Sequence, residues 1–282
     1  MTADRWKELL TELRRWLGPV QVTLTGGEAL LQPFAVDLVS HGSSLGLFVE
    51  LLTHGYWDDQ SRIERLALAR PGRVTLSFDG IGETHDRIRG REGFYDKTTA
   101  SIQTLKRVRR ENGLDFEILL KTVVMEHNLD SVAAVARFAE SEGLSVFYQP
   151  IEQNYNTPDD PVWFEHSANW PRDPEKAVSA VEQLVRLKRE GSPIANSVEQ
   201  LEVMIPYFRD PAALRKTVQS HVAHERRPDC SARFNLQVNA DGDVQTCVFM
   251  PPIGNIKERS IRDLWCSRPR YWGGGCCLKS IG

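Results

Sequence analysis

The chain has 282 residues, 41% of them hydrophobic and 26% charged, with a formal net charge of −3. That balance is ordinary for a globular protein the size of one α/β barrel with a small appendage, and the weak negative charge gives no electrostatic drive toward nucleic acid or an anionic membrane. No apolar run reaches the length of a membrane-spanning helix. The opening stretch MTADRWKELLTELRRWLG is amphipathic and charged throughout rather than a secretory leader. A cytoplasmic location is therefore expected, where cysteines serve something other than structural disulfides. The basic run from Lys106 to Gly113 reads as the wet face of a helix rather than a binding patch.

In chain order, Trp6, Leu9, Leu10, Leu13, Trp16 and Leu17 repeat at helical spacing, and Gly18-Pro19 stop the helix. A short strand runs from Val20 to Leu24. The turn Gly26-Gly27-Glu28 follows, then a second helix marked by Leu30, Leu31, Phe34, Leu38 and Val39. Leu47 to Leu52 is a strand, Arg62 to Ala69 a helix, and RVTLSFDG the next strand. Tyr95 to Arg110 is helical, FEILLKTVV is a strand, LDSVAAVARFAESEG is a helix closed by Gly143, and LSVFYQPI is a fifth strand. Strands alternating with helices, and strands reading as apolar runs, predict a parallel sheet buried on both faces. Polar turn tokens sit at the C-terminal ends of these strands, where active sites of parallel α/β folds lie. Residues 152–225 carry no strand signal. From Asp229, FNLQVNADGDVQTCVFM reads as a β-hairpin turning through Asp-Gly. The expected units are 1–151, a helical extension 152–228, and a small module 229–282.

Four tokens then occur in one order: LTGGEALL, LLTHG, SFDGIGETHDRIRG and, far downstream, NADGDVQTC. Together they resemble the radical S-adenosylmethionine (radical SAM) superfamily, in the branch with a C-terminal SPASM or twitch extension. The resemblance covers roughly residues 20–151 and 229–277. It implies a partial parallel βα barrel lacking its first strand, plus a small Cys-bearing hairpin module. It also implies that Gly26, Gly27 and Glu28 lie against the methionine end of SAM, and that Ser77 and Arg89 contact the SAM carboxylate. A guanidinium suits that role because it pairs a carboxylate in bidentate fashion. His54 stands where the family usually has Asn. The implied activity is reductive cleavage of SAM to a 5′-deoxyadenosyl radical and hydrogen abstraction from a peptide or small-molecule biosynthetic substrate, served by an electron-donor protein.

The family's CxxxCxxC loop, whose thiolates hold the SAM-binding [4Fe–4S] cluster, has no counterpart here, because no cysteine precedes Cys230. Two readings follow: an N-terminally shortened enzyme, which is the preferred one, or a cluster-less accessory protein of the same fold. In the extension, the resemblance implies that Cys230, Cys247, Cys276 and Cys277 hold an auxiliary [4Fe–4S] cluster. On residue types alone, zinc suits four thiolates equally well. A non-radical βα-barrel protein with a zinc-binding tail is thus a third reading. Cys266, beside Trp265, reads as a small buried hydrophobe.

Other residues carry weaker signals. Asp79 and Asp86 read as turn caps ahead of catalytic carboxylates, and His85-Asp86 as a structural turn ahead of an acid–base pair. Lys121 and Gln149 are placed near the barrel mouth, with a core-edge salt bridge equally open for Lys121. Tyr155, Trp163 and Trp170 read as packing ahead of a substrate entrance.

Overall fold

The computed structural model describes residues 1–154, 157, 160–212, 234–246 and 251–268. The candidate ligands Cys230, Cys247, Cys276 and Cys277, and Tyr155, lie outside the described residues. Helix α1 (Ala3–Leu17) is capped by Thr2, whose hydroxyl accepts from Arg5 N–H, and ends where Gly18 N–H donates to Arg14 C=O. Strand β1 (Gln21–Leu24) follows. The expected second helix is split. A single 3₁₀ turn (Ala29–Leu31) precedes α2 (Ala35–Ser44), and Pro33 between them has no N–H to continue a ladder.

The βα rhythm continues with β2 (Phe48–Thr53), α3 (Ser61–Leu68), β3 (Arg73–Ser77), α4 (Glu83–Arg89), α5 (Phe94–Glu111), β4 (Glu117–Val124), α6 (Val132–Glu142) and β5 (Ser145–Pro150). Helix α4 was not anticipated from the sequence, which reads there as loop. The segment that follows is helical, as expected: α7 (Trp163–His166), α8 (Pro174–Arg189), α9 (Val198–Glu202) and α10 (Met204–Arg209). The aromatic residues of this segment pack on one another. Trp170 is buried, with its ring centroid 5.4 Å from Trp163 and 5.3 Å from Tyr207.

The five strands form one wholly parallel sheet in the order β1-β2-β3-β4-β5. In line with a barrel lacking its first strand, β1 ends the strand order: among the described residues no strand pairs its outer side. The two faces differ, which corrects the expectation of a sheet buried on both sides. Val49, Leu51, Val74, Leu76, Ile118, Leu120, Val146 and Tyr148 face the helices and are buried. Their alternates, Leu52, Ser77, Leu119, Lys121 and Gln149, are only partly buried. The period of two thus separates an apolar convex face from a wetter concave one. At the base of the concave face the buried Glu50 carboxylate accepts from Gln21 Nε2 at 2.9 Å, Thr23 Oγ1 at 3.0 Å and Thr75 Oγ1 at 2.6 Å. It tethers three strands at the end away from the polar turns.

The C-terminal hairpin pairs β6 (Gln237–Val238) with β7 (Asp243–Gln245), and β8 (Gly254–Asn255) adds a third antiparallel strand that the sequence did not signal. The short helix α11 (Ile261–Cys266) follows. Cys266 is exposed at its end, contrary to expectation, and Leu264 and Trp265 take the buried positions. Helix α1 joins the two parts: Leu10 lies in the barrel core, while Leu9 packs with Val244, Ile256, Ile261 and Leu264. The N-terminal ammonium donates to Ala240 C=O and Arg5 Nη2 to Ile256 C=O, both at 2.7 Å.

Helix α2 approaches β2 so closely that a Cβ built on Gly42 would stand 2.6 Å from Val49 Cγ2. Gly42→Ala should therefore lower stability by about 1–3 kcal/mol in denaturant melts, despite the better helix propensity of alanine. The double variant Gly42→Ala/Val49→Ala should recover part of that loss relative to the sum of the single changes.

Candidate active site at the C-terminal edge of the sheet

The strand ends, and the turns that leave them, build the site. Gly26 and Gly27 adopt φ of +101° and +52°, which only glycine enters freely, and a Cβ on either would meet nothing within 4 Å. Open space therefore lies beside bare backbone. The side chain of Glu28 is turned inward. Its Oε1 accepts from Leu30 N–H at 3.0 Å and its Oε2 from His54 N–H at 2.7 Å. Glu28 thus ties the first turn to the turn that follows β2.

His54 continues the link. Its Nδ1 accepts from Tyr56 N–H at 2.8 Å, and its Nε2 lies 3.5 Å from Glu28 Oε2. Burial holds its pKa below the ordinary value, with Glu28 pulling it up and Arg89 pushing it down. The imidazole stacks on Trp57 at 5.1 Å.

After β3 the chain places Asp79 in the interior, 2% exposed. Its Oδ1 accepts from Val123 N–H at 2.9 Å, and its Oδ2 lies 2.5 Å from Arg89 Nη2. Asp79 is thus no turn cap. It crosses to β4 and holds the arginine on α4. Burial pushes its pKa up, and Arg89 works against that rise. Asp86 does act as a cap, accepting from Gly93 N–H and Tyr95 N–H, both at 2.7 Å, where α5 begins. His85 is buried against Phe78, and its Nδ1 accepts from Asp79 N–H at 3.0 Å. Burial and Arg89 lower its pKa to about 3, so it is a neutral structural residue. Asn128, which the sequence did not single out, donates to Asp79 C=O and Val123 C=O and accepts from Met125 N–H.

Ser77, Asp79, Arg89, Lys121 and Gln149 line one cleft of about 530 Å³. The structure thus brings Ser77 and Arg89 together. Gly26, Gly27 and Glu28 lie at the same edge of the sheet, outside the lining of that cleft, and Glu28 is joined to His54 after β2. Arg89 pairs with Asp79 rather than with a carboxylate of its own loop, and its buried Nε has no acceptor. Among the described residues no cluster of three or more His, Cys, Asp or Glu side chains is placed to hold a metal.

Residues 1–139 match the family model described as the radical SAM superfamily, and residues 230–272 match that of the SPASM iron–sulfur cluster-binding domain. The chain belongs to the radical SAM superfamily. SAM and iron–sulfur clusters are the cofactors that these two domains imply. The chain is similar to the AdoMet-dependent heme synthase of Methanosarcina barkeri, with 26% identity over 94% of this chain and 73% of that protein. It is also similar to the PqqA peptide cyclase of Bradyrhizobium diazoefficiens, with 30% identity over 49% of this chain and 35% of that one. Among solved structures, Streptococcus suis SuiB bound to S-adenosylmethionine superposes with a TM-score of 0.68 at 14% identity, covering 97% of this chain and 60% of SuiB. That likeness shows the shared fold. This radical SAM chain thus spans about a third of the peptide cyclase and three-fifths of SuiB. Among its described residues no helix is long and apolar enough to cross a membrane.

The neutral His85 has a measurable consequence. The unfolded chain takes up a proton on this imidazole below about pH 6.5, whereas the folded chain resists until about pH 3. Its contribution is therefore complete above the unfolded pKa and is lost as pH falls through that window. Relative to His85→Gln, the native chain should lose roughly 2–3 kcal/mol more on going from neutral pH to about pH 4.5, read from denaturant melts at each pH.

Proposed function

We propose that this chain forms the SAM-binding and auxiliary-cluster portion of a radical SAM enzyme acting on a peptide or small-molecule biosynthetic substrate. The observation that carries the reading is the convergence of Ser77 and Arg89, from β3 and α4, on one cleft at the C-terminal edge of the sheet. Three features fit a zwitterionic amino-acid ligand there. Arg89 has a buried Nε–H with no acceptor. Ser77 lines the cleft with no hydrogen-bond partner among the described residues. At the same edge of the sheet, outside the cleft lining, the space beside Gly26 and Gly27 is open.

When bound, SAM and its cluster supply one-electron chemistry that ends in hydrogen abstraction from the substrate. The residues of this chain do the holding. Ser77 and Arg89 would take the SAM carboxylate through charge-assisted hydrogen bonds, with Asp79 fixing the guanidinium in place. The open backbone of the Gly-Gly turn would receive the α-ammonium, with the inward-turned Glu28 carboxylate supplying negative charge behind it rather than a direct contact. The cluster that binds SAM needs thiolates, and residues 1–229 contain none. The auxiliary cluster would fall to Cys230, Cys247, Cys276 and Cys277. The relatives named above include a heme synthase and a peptide cyclase, which supports the substrate range without choosing within it.

Titration calorimetry tests the SAM site. Arg89→Ala should weaken SAM binding by roughly 1.5–3 kcal/mol, the worth of a charged hydrogen bond, while the exposed Arg110→Ala should leave it unchanged. Equal affinities in the two variants would overturn the assignment. Reduced anaerobically with dithionite after reconstitution with iron and sulfide, the 282 residues alone should release no 5′-deoxyadenosine from SAM. Fusing a strand that carries CxxxCxxC ahead of Met1 should restore the release.

A further inference from the structure

The cleft contains more positive charge than SAM can use. Asp79 is its single lining carboxylate among the described residues, and both of its oxygens are taken, by Val123 N–H and by Arg89. Lys121 and Arg87 also line the cleft. Lys121 projects from β4 on the concave side, in register with Ser77 and opposite in phase to the buried Leu120 and Thr122. It is half-buried and feels the charge of Asp79, but no carboxylate lies within ion-pair distance of it among the described residues. Among the described residues the Arg87 side chain donates to His127 C=O alone, at 3.4 Å.

SAM carries one carboxylate, which Ser77 and Arg89 are placed to take, and its other charged groups, an ammonium and a sulfonium, are cationic. A half-buried ammonium beside such a ligand is unfavourable until a second anion arrives. Gln149, in register with Val123 on β5, adds a neutral amide on the same wall.

Resting on the SAM reading above, we propose that Lys121, with Arg87 at the rim, anchors a carboxylate of the molecule that is modified. The substrate is thus a carboxylic acid, and the same chemistry is offered by an acidic peptide side chain or by the propionate of a tetrapyrrole.

The test uses the full chain and two matched pairs of probes, in calorimetric titrations with SAM present. One pair is deuteroporphyrin, with two propionates, and its dimethyl ester. The other is the peptide acetyl-Gly-Glu-Glu-Gly-amide and its Gln-Gln counterpart. At least one acid should bind more tightly than its neutral analogue, and the pair that does so names the source. Lys121→Met should weaken that acid about tenfold or more, Lys121→Arg should retain it, and Arg87→Met should have a smaller effect. SAM affinity should change less than about twofold in Lys121→Met, since the lost ammonium pairs with the other ligand. The proposal is overturned if neither acid is preferred over its neutral analogue. It is equally overturned if Lys121→Met weakens SAM as much as it weakens the acid, because Lys121 would then serve SAM. If Arg89→Ala leaves SAM binding intact while the Lys121 effect on the acid persists, the SAM assignment fails and the carboxylate anchor stands.

Discussion

The ion pair between Asp79 and Arg89 is the constraint on which the cleft depends. Asp79 sits at the mouth of β3 with its carboxylate inside the protein, and one oxygen reaches Arg89 while the other accepts from the backbone of β4. A lone buried carboxylate would cost several kcal/mol, and removing one partner of such a pair typically costs about 3–5 kcal/mol. The pair is therefore a strong tether between the loop after β3, helix α4 and strand β4. Asn128 repeats the tether from the other side by donating to Asp79 C=O and Val123 C=O. Arg89 is thus oriented before any ligand arrives, and less ordering is left for binding to bring about.

The sheet divides its labour by face. The convex side is sealed by helices and carries the apolar burial that drives folding. The concave side bears polar groups whose pairing changes along the strands. At the base, Glu50 is satisfied by Gln21, Thr23 and Thr75, and the network is closed. At the C-terminal end Arg89 Nε lacks an acceptor, and among the described residues the Ser77 hydroxyl makes no hydrogen bond and Lys121 feels the charge of Asp79 without a carboxylate at ion-pair distance. Satisfied polar groups stabilise a fold, and under the proposed reading the unsatisfied ones at the opposite end of the same strands are where a ligand would complete the structure.

Helix α1 gives the C-terminal hairpin a fixed seat. Its two neighbouring leucines, Leu9 and Leu10, belong to separate hydrophobic clusters. Trp16 meets Trp265 edge to face at 6.5 Å, and the chain's own N-terminal ammonium bonds to Ala240 C=O in the hairpin turn. The helix next to the edge strand therefore also carries the module that contains the cysteine-bearing hairpin. An amphipathic pattern with apolar residues on more than one flank is what such a bridging helix requires.

The sequence by itself determined the βα order, the hairpin and the family resemblance. These rest on local periodicity and on short motifs whose residues lie within a few positions of one another. It also carried the wet, cap-forming role of Asp86, since a carboxylate can reach backbone N–H groups along its own loop. What only the tertiary structure decided depends on contacts across the sheet. The partner of Asp79 is ten residues away on α4, and its second donor, Val123, lies on another strand. The split of the second helix at Pro33, the exposure of Cys266 and the short third strand β8 were settled by which neighbours pack there. Above all, the alternation in EILLKTVV is compatible with a sheet buried on both sides or on one. Only the folding of helices onto a single face leaves Lys121 looking into a cleft, because a side chain's solvent is set by what packs against it rather than by its place in the strand.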